Sequence, residues 1–200
     1  MDIWHGESRT GQEWIGSLIK NLEKRNMEGL YCRDQAEAQA VIAGLVPDGA
    51  SVSLGRSVTL RQLRLKELLL EKNCRLSGSE TVFTDFFFMS TNGITEAGEL
   101  VNIDETGARL SRMLWGPKQV VILAGLNKIA SDVPAAIRRI REEVCPVMAL
   151  AGGRNTVCAT QGRCGDCLTP DSMCCQFVVT RRSGQDGRMK LILVGETLGY

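Results

Sequence analysis

Gly55-Arg56-Ser57-Val58-Thr59 places a glycine, a guanidinium and two hydroxyls in one short run between an apolar β-type segment and a leucine-rich helical one. In that setting free backbone amides, a helix start and a cation meet around one small volume, which suits a phosphate or a carboxylate. The same string also reads as a plain helix N-cap made by Ser57 or Thr59. A second polar stretch runs from Thr91 to Arg109, directly after the very apolar Phe86-Phe87-Phe88-Met89. Its Asn92, Thr95, Glu96, Asn102, Asp104, Gly107 and Arg109 offer carboxylates for proton transfer, amide groups, a turn glycine and one cation. The alternative is a hairpin turning at Glu96 to Glu99, with a second turn at Asp104 to Gly107. A third, Gly125-Leu126-Asn127-Lys128, follows the apolar run Val120 to Ala124. Lys128 there suits charge neutralisation of an anion or base chemistry, or it is an ordinary loop lysine.

The fourth constellation is Cys158-x5-Cys164-x2-Cys167-x6-Cys174-Cys175, on a glycine-containing stretch over 152–175. Cys158, Cys164, Cys167 and Cys174 have the number and closeness to wrap one metal centre, with Cys175 as a spare thiol. Zinc and an iron–sulfur cluster both accept four thiolates, and a lone Cys-x-x-Cys knuckle tilts the expectation toward iron–sulfur. Disulfide or thiol redox chemistry and inert packing are the other readings. Cys32, Cys74 and Cys145 are expected to be small buried side chains, and His5 is given no role.

The elements that must position these groups follow from periodicity. A helix is expected from Thr10, where Thr10-x-x-Glu13 has capping-box spacing, and another from Asp34, with Val41, Ile42 and Leu45 on its apolar face. A strand is expected at Ala50 to Leu54, then a leucine-rich helical stretch through Leu60, Leu63, Leu68 and Leu69. Further strands fall at Phe83 to Met89, Gln119 to Gly125, Gln176 to Thr180 and Met189 to Val194, with a helix over Asp132 to Val144. Alternating strands and helices predict an α/β fold with a largely parallel sheet flanked by helices, and loops that follow parallel strands gather at one edge. Glu96, Asp104 and Lys128 are therefore expected to converge in one pocket. The last two strands, joined by Ser183 to Gly187, are expected to form an antiparallel C-terminal hairpin.

Composition limits the partners. The chain has 200 residues, 44% hydrophobic and 24% charged, with a formal net charge of +1. Such a balance gives no field to hold a nucleic-acid backbone or an anionic membrane, so a small anionic metabolite, carboxylate or phosphate, is the expected partner. One domain over residues 1–200 is expected, with a helical segment over 1–33. No apolar run approaches the roughly 20 residues of a membrane span, and the start lacks a secretory pattern, so the expected compartment is the cytoplasm. No flavin or nicotinamide fingerprint is present.

Taken in order, Gly55-x-Ser57-x-Thr59, Thr91-Asn92-x-Ile94-Thr95-Glu96-x-Gly98-Glu99-Leu100-Val101-Asn102-x-Asp104-x-x-Gly107-x-Arg109, Gly116-Pro117 and Gly125-x-Asn127-Lys128-Ile129 resemble the LUD-domain family, which includes lactate utilisation protein C. The resemblance runs from about Gln35 to Gly199. Asp166 between the thiols and the ending Val194-Gly195-Glu196-x-Leu198-Gly199 resemble a single-domain branch of that family. Two positions depart from it: Arg56 stands where a small residue is usual, and Ala108 where an asparagine precedes Arg109. The resemblance implies a fold like that of ribose-5-phosphate isomerase, glucosamine-6-phosphate deaminase and the CoA transferases. It also implies a role accessory to lactate-type organic-acid oxidation, with iron–sulfur oxidoreductase subunits as partners. The enzymatic alternative is an isomerase or acyl/CoA-transfer activity with Glu96 or Asp104 as base and Lys128 as electrostatic stabiliser. A structural or electron-relay subunit is a third reading.

Overall fold

A computed structural model describes residues 9–78 and 81–200; His5 lies outside the described residues, as does the side chain of Thr10. Ten strands occur among the described residues: β1 (Glu28–Cys32), β2 (Ser51–Leu54), β3 (Arg75–Ser77), β4 (Phe86–Met89), β5 (Gly93–Thr95), β6 (Leu100–Asp104), β7 (Gln119–Gly125), β8 (Ile129–Ala130), β9 (Gln176–Thr180) and β10 (Met189–Val194). The helices are α1 (Arg9–Lys24), α2 (Gln35–Leu45), α3 (Val58–Gln62), α4 (Leu65–Glu71), α5 (Ala108–Leu114), α6 (Val133–Arg139), α7 (Cys145–Ala151) and α8 (Val157–Gln161).

Six strands form a wholly parallel sheet in the order β1-β10-β7-β4-β2-β3. Strand alternation sorts its side chains between two cores. Phe86, Phe88, Val121, Leu123, Ile192 and Val194 face α2, α3 and α4, where Ala38, Ile42, Leu63 and Leu69 are buried. Phe87, Met89, Val120, Ile122, Leu191 and Leu193 face Leu18 and Leu22 of α1 and Leu110 and Met113 of α5. This two-sided burial is why these strands read as unbroken apolar runs rather than alternating ones. Truncating a fully buried member such as Phe87 is expected to cost about 3–5 kcal/mol.

A second sheet, β8-β5-β6-β9, is mostly antiparallel and hangs beyond the end of β4. Its far face packs Val101 and Ile103 against Ala136, Ile140 and Val144. The hairpin anticipated at Glu96 to Glu99 is β5-β6, and its Gly98, at φ 86, lies where an added Cβ would sit 3.0 Å from the backbone of Asn21 in α1.

The predicted C-terminal hairpin is absent from this architecture. β9 pairs antiparallel with β6, whereas β10 crosses to the parallel sheet and lies between β1 and β7. Turn-rich residues between two strands mark a reversal but not which sheet each strand joins, and five apolar residues in Leu191 to Val194 and Met189 are satisfied only in a core buried on both faces. The leucine-rich stretch is two helices, broken where Arg64 takes a left-handed φ of 48. Asp34 caps α2, accepting from the Glu37 amide at 2.8 Å, and Asp132, the expected start of a later helix, caps α6 by accepting from the Ala135 amide at 2.7 Å. The helix that begins at Asp132 runs past Val144, through a π-helical stretch over Ile140–Val144, into α7.

Candidate anion-binding cavity

Because β2, β4, β7 and β10 run parallel, the loops after them meet at one edge of the sheet. A cavity of about 640 Å³ opens there, lined by Ser57 and Thr59 after β2, Ser90 to Asn92 after β4, Lys128 after β7 and Gly199 after β10. The π-helical stretch, α7 and Met173 close the other side.

Lys128 is the centre of its chemistry. It is 5% exposed, and its ammonium forms no hydrogen bond or ion pair with any described residue. Burial lowers its pKa from the ordinary 10.5 to about 8, with the positive charges of Arg139 and Arg109 adding to the effect. The pocket thus holds a buried ammonium with no counter-charge, among like charges and lined also by Thr59, Ser90 and Ser57.

The loop after β2 supplies donors differently from the expectation. The amide of Gly55 donates to the Phe88 carbonyl at 2.7 Å and is taken up by the sheet. The amides of Arg56 to Thr59 have no such partner, and the Ser57 hydroxyl makes no capping bond. α3 has only five residues, so its dipole adds little. Arg56 is exposed at the cavity wall.

Arg109 organises the floor instead of facing a ligand. All its N–H groups are engaged: Nε with Asp104 at 3.0 Å, Nη1 with Asn102 Oδ1 and the Ser90 carbonyl, Nη2 with Asn92 Oδ1 and the Ile103 carbonyl. Asp104 is equally committed, since its second oxygen accepts from the Gly107 amide at 2.8 Å. Gly107 sits at φ 78 ahead of α5 and serves that turn. Asn92, Asn102, Asp104, Gly107 and Arg109, expected from sequence as ligand or acid/base groups, therefore form a scaffold that fixes the end of β4 beside β6.

Glu96 does not join Asp104 and Lys128. It lies exposed on the β5-β6 turn next to α1, with Asn21 donating to its carbonyl, and it does not line the cavity. Thr95 is buried and bonded to Glu99. Asn127 turns away to accept from the Leu198 amide at 3.1 Å, holding the last residues over the site, where a Cβ on Gly125 would collide with the Glu196 carbonyl. Thr59 Oγ1 also bonds the Leu198 carbonyl, so this segment forms one rim.

Sequence reasoning missed Ser90, Arg112 and Arg139. Arg112 is buried over the Phe87 ring at 4.7 Å, with one guanidinium nitrogen unpartnered among the described residues. Arg139 is half-buried and donates to the Asn92 carbonyl. On the surface-facing side of an amphipathic helix an arginine reads as solvated, and only the tertiary packing of α5 and α6 shows otherwise.

The cysteines distribute unevenly. Cys158 is buried, Cys164, Cys167 and Cys174 are half-buried, and Cys175 is exposed. Among the described residues no three histidine, cysteine, aspartate or glutamate side chains converge closely enough to hold a metal ion. The closest thiols are Cys174 and Cys145, 3.5 Å apart, although Cys145 was expected merely to pack. Hydrogen bonding to Cys145 lowers the pKa of Cys174 to about 7, while the same bond, burial and charge on Cys174, Cys158 and Cys164 push Cys145 up. Arg141 pairs with Asp166 beside them.

This architecture and its strand-end cavity define an α/β fold with a ligand-type crevice, and the comparisons place the chain within a family. The LUD domain matches residues 15–76 and 78–194, so the chain belongs to the LUD domain family. A DUF162 family protein from Deinococcus radiodurans shares the fold, with a TM-score of 0.54 and 11% identity over 92% of this chain and 98% of that one. Ribose 5-phosphate isomerase A from Methanocaldococcus jannaschii aligns over 60% of this chain and 66% of its own, at a TM-score of 0.34 and 15% identity. No curated protein matches the sequence. No described helix is long and apolar enough to cross a membrane.

Proposed function

We propose that this protein binds a small anionic metabolite, carboxylate or phosphate, at the strand-end cavity, in a role accessory to lactate-type organic-acid oxidation alongside iron–sulfur oxidoreductase subunits. The observation that carries the binding reading is Lys128, a buried ammonium with no counter-charge in hydrogen-bond reach. Leaving such a charge unpaired is costly, and an anion entering the cavity offsets that cost. Ser57 and the free amides of 56–59 are donors for the remaining anion oxygens, and Thr59 joins them by turning its hydroxyl from the Leu198 carbonyl, 3.4 Å away, to the anion.

The same geometry favours binding over proton transfer. Asp104 is held at both oxygens by Arg109 and Gly107, and Glu96 lies elsewhere, so neither carboxylate faces the cavity as a free base. Titration with phosphate, sulfate and lactate is the test: Ser57→Ala and Thr59→Ala should each weaken binding by about 1.5–3 kcal/mol, as for lost hydrogen bonds to a charged group. Unchanged affinity in both would refute the assigned donors. Turnover of a sugar phosphate or an acyl-CoA by the isolated chain would restore the isomerase or transferase reading.

A cysteine-ligated centre, iron–sulfur or zinc, on Cys158, Cys164, Cys167 and Cys174 is a second reading. It is favoured by the closeness of thiols at this place, Cys174 lying 3.5 Å from Cys145, since a cation binds thiolates brought together. The arrangement described above is not a closed four-thiolate site, so the loop must draw together to form one. Anaerobic purification with iron and zinc analysis and an absorption spectrum decides it.

A further inference from the structure

Resting on the anion-binding reading, we propose that the ligand is amphiphilic: a carboxylate or phosphate head at Lys128 and an apolar body of several carbons lying against Ile140, Val144, Met148 and Met173.

Size is the first argument. A lactate-sized acid has six heavy atoms and takes roughly 180 Å³ if each is given a water's share of liquid volume, about 30 Å³. The cavity holds about 640 Å³. A three-carbon acid seated on Lys128 leaves most of that space to be filled by something else.

Chemistry of the far wall says what. Ile140 and Val144 come from the π-helical stretch and Met148 from α7, and all three line the cavity together with Met173. These side chains offer no hydrogen-bonding group to a hydroxylated sugar, whereas thioethers and branched alkyl groups suit an alkyl or aryl body, with methionine adapting to its shape. The carboxylates that line the cavity are already paired: Glu105 with Arg154 at 2.7 Å and Asp104 with Arg109 at 3.0 Å. The charge left unpaired around it is cationic, on Lys128, Arg112 and the exposed Arg56, which suits an anionic head and offers nothing to a cationic one.

The π-helical stretch is an independent sign. Inserting a π turn weakens the regular helical ladder, and such turns recur at functional sites, where they re-aim side chains. Here it presents Ile140 and Val144, which also pack against the second sheet, so the apolar wall is anchored rather than loose.

The experiment is a chain-length series of acetate, butanoate, hexanoate and octanoate, with inorganic phosphate as the head alone, titrated into the full chain by calorimetry or by NMR for the weak members. Affinity should rise about fourfold per methylene until the chain outgrows the wall. In Met148→Gln and Met173→Gln, both at partly exposed positions that preserve the fold, the gain should fall below about twofold per methylene while acetate and phosphate affinities hold. Affinity independent of chain length, with phosphate and acetate still binding, overturns the amphiphilic ligand and leaves the anion reading standing. A length dependence unchanged in both variants also overturns it, because the alkyl chain then lies elsewhere. No binding of phosphate or of any acid overturns the anion reading itself.

Discussion

The strand-end cavity and the cysteine loop carry comparable densities of reactive groups, yet they are built in opposite ways. Around Arg109 every donor has an acceptor, either on β6 or in the loop between β4 and β5, so the polar groups are fixed before any ligand arrives. The Lys128 ammonium is left without a partner among the described residues. Across 152–175 the potential ligands are many, but most bonds there are local caps and turns, such as Thr156 to the Ala159 amide and Ser172 to the Cys174 amide, with Arg154 to Glu105, Asp166 to Arg141 and Cys174 to Cys145 tying the stretch to the rest of the chain. The difference teaches that a buried sheet edge organises chemistry from long-range backbone order, whereas a loop rich in ligands needs something bound to organise it.

That contrast breaks most visibly at Arg109. Arg109→Ala strands the Asp104 carboxylate, only 12% exposed at its side chain, and unpairs Asn92 and Asn102. Loss of one partner from such a buried pair is expected to cost about 3–5 kcal/mol, read as a shift of the urea midpoint. Arg141→Ala, which loses a pair with Asp166 on the cysteine loop, should cost no more than about 1 kcal/mol, because that carboxylate is exposed. Equal losses at both positions would erase the distinction.

Lys128 gives the next largest effect and a pH signature. In the folded protein without anion its pKa is about 8, against an ordinary 10.5. Between those values the unfolded chain holds a proton that the folded chain has released, so stability should rise with pH from about 8 to 10.5, by something on the order of 3 kcal/mol in total. Below about 8 both states are protonated, and the burial cost is felt in full. Lys128→Met should remove this slope, raise the stability of the ligand-free protein at neutral pH and abolish phosphate binding. Wild-type affinity for phosphate should decline above about pH 8, by up to tenfold per unit, as the ammonium loses its proton. A flat pH–stability profile in the wild type would mean that Lys128 has a counter-charge after all.

The parts legible from sequence are those fixed by short-range chemistry. The aspartate cap of α2, the apolar strands β4, β7 and β10, and the gathering of Ser57, Thr59 and Lys128 at strand ends all follow from local pattern and from what parallel strands require. β1 and β3 escaped notice because Glu28–Cys32 and Arg75–Ser77 are short and carry charged or small residues, so nothing in their own pattern outweighs a turn. The bonding of Asn92, Asn102, Asp104 and Arg109 to one another was not legible for another reason. A residue type states what a side chain can bond to, but whether a ligand or the protein's own backbone takes the bond is a matter of tertiary geometry. Cys145 illustrates the same point, since its proximity to Cys174 spans 29 positions of sequence and leaves no trace in spacing.

The smallest effect should come from the cysteine loop, and it tests whether that region is organised by a ligand. Cys164→Ser with Cys167→Ser alters two half-buried groups outside the three apolar cores, so the unfolding midpoint should move by less than about 1 kcal/mol. Proteolysis should be more sensitive than denaturation. If a metal draws these sulfurs together, the double variant and the chelator-treated wild type should both be cleaved faster over 154–163, while the core from Ala50 to Val144 resists. If anaerobically prepared protein carries neither iron nor zinc near stoichiometry, the metal reading falls, and the thiols must be explained by each other. Cys145 and Cys174, 3.5 Å apart, are then the pair to join: peroxide would take one electron pair from the two thiols, forming the disulfide and two waters. Mass spectrometry of the oxidised protein should find that one cross-link first, and a cross-link made instead between Cys164 and Cys167 would show that the loop moves more freely than its neighbouring helices.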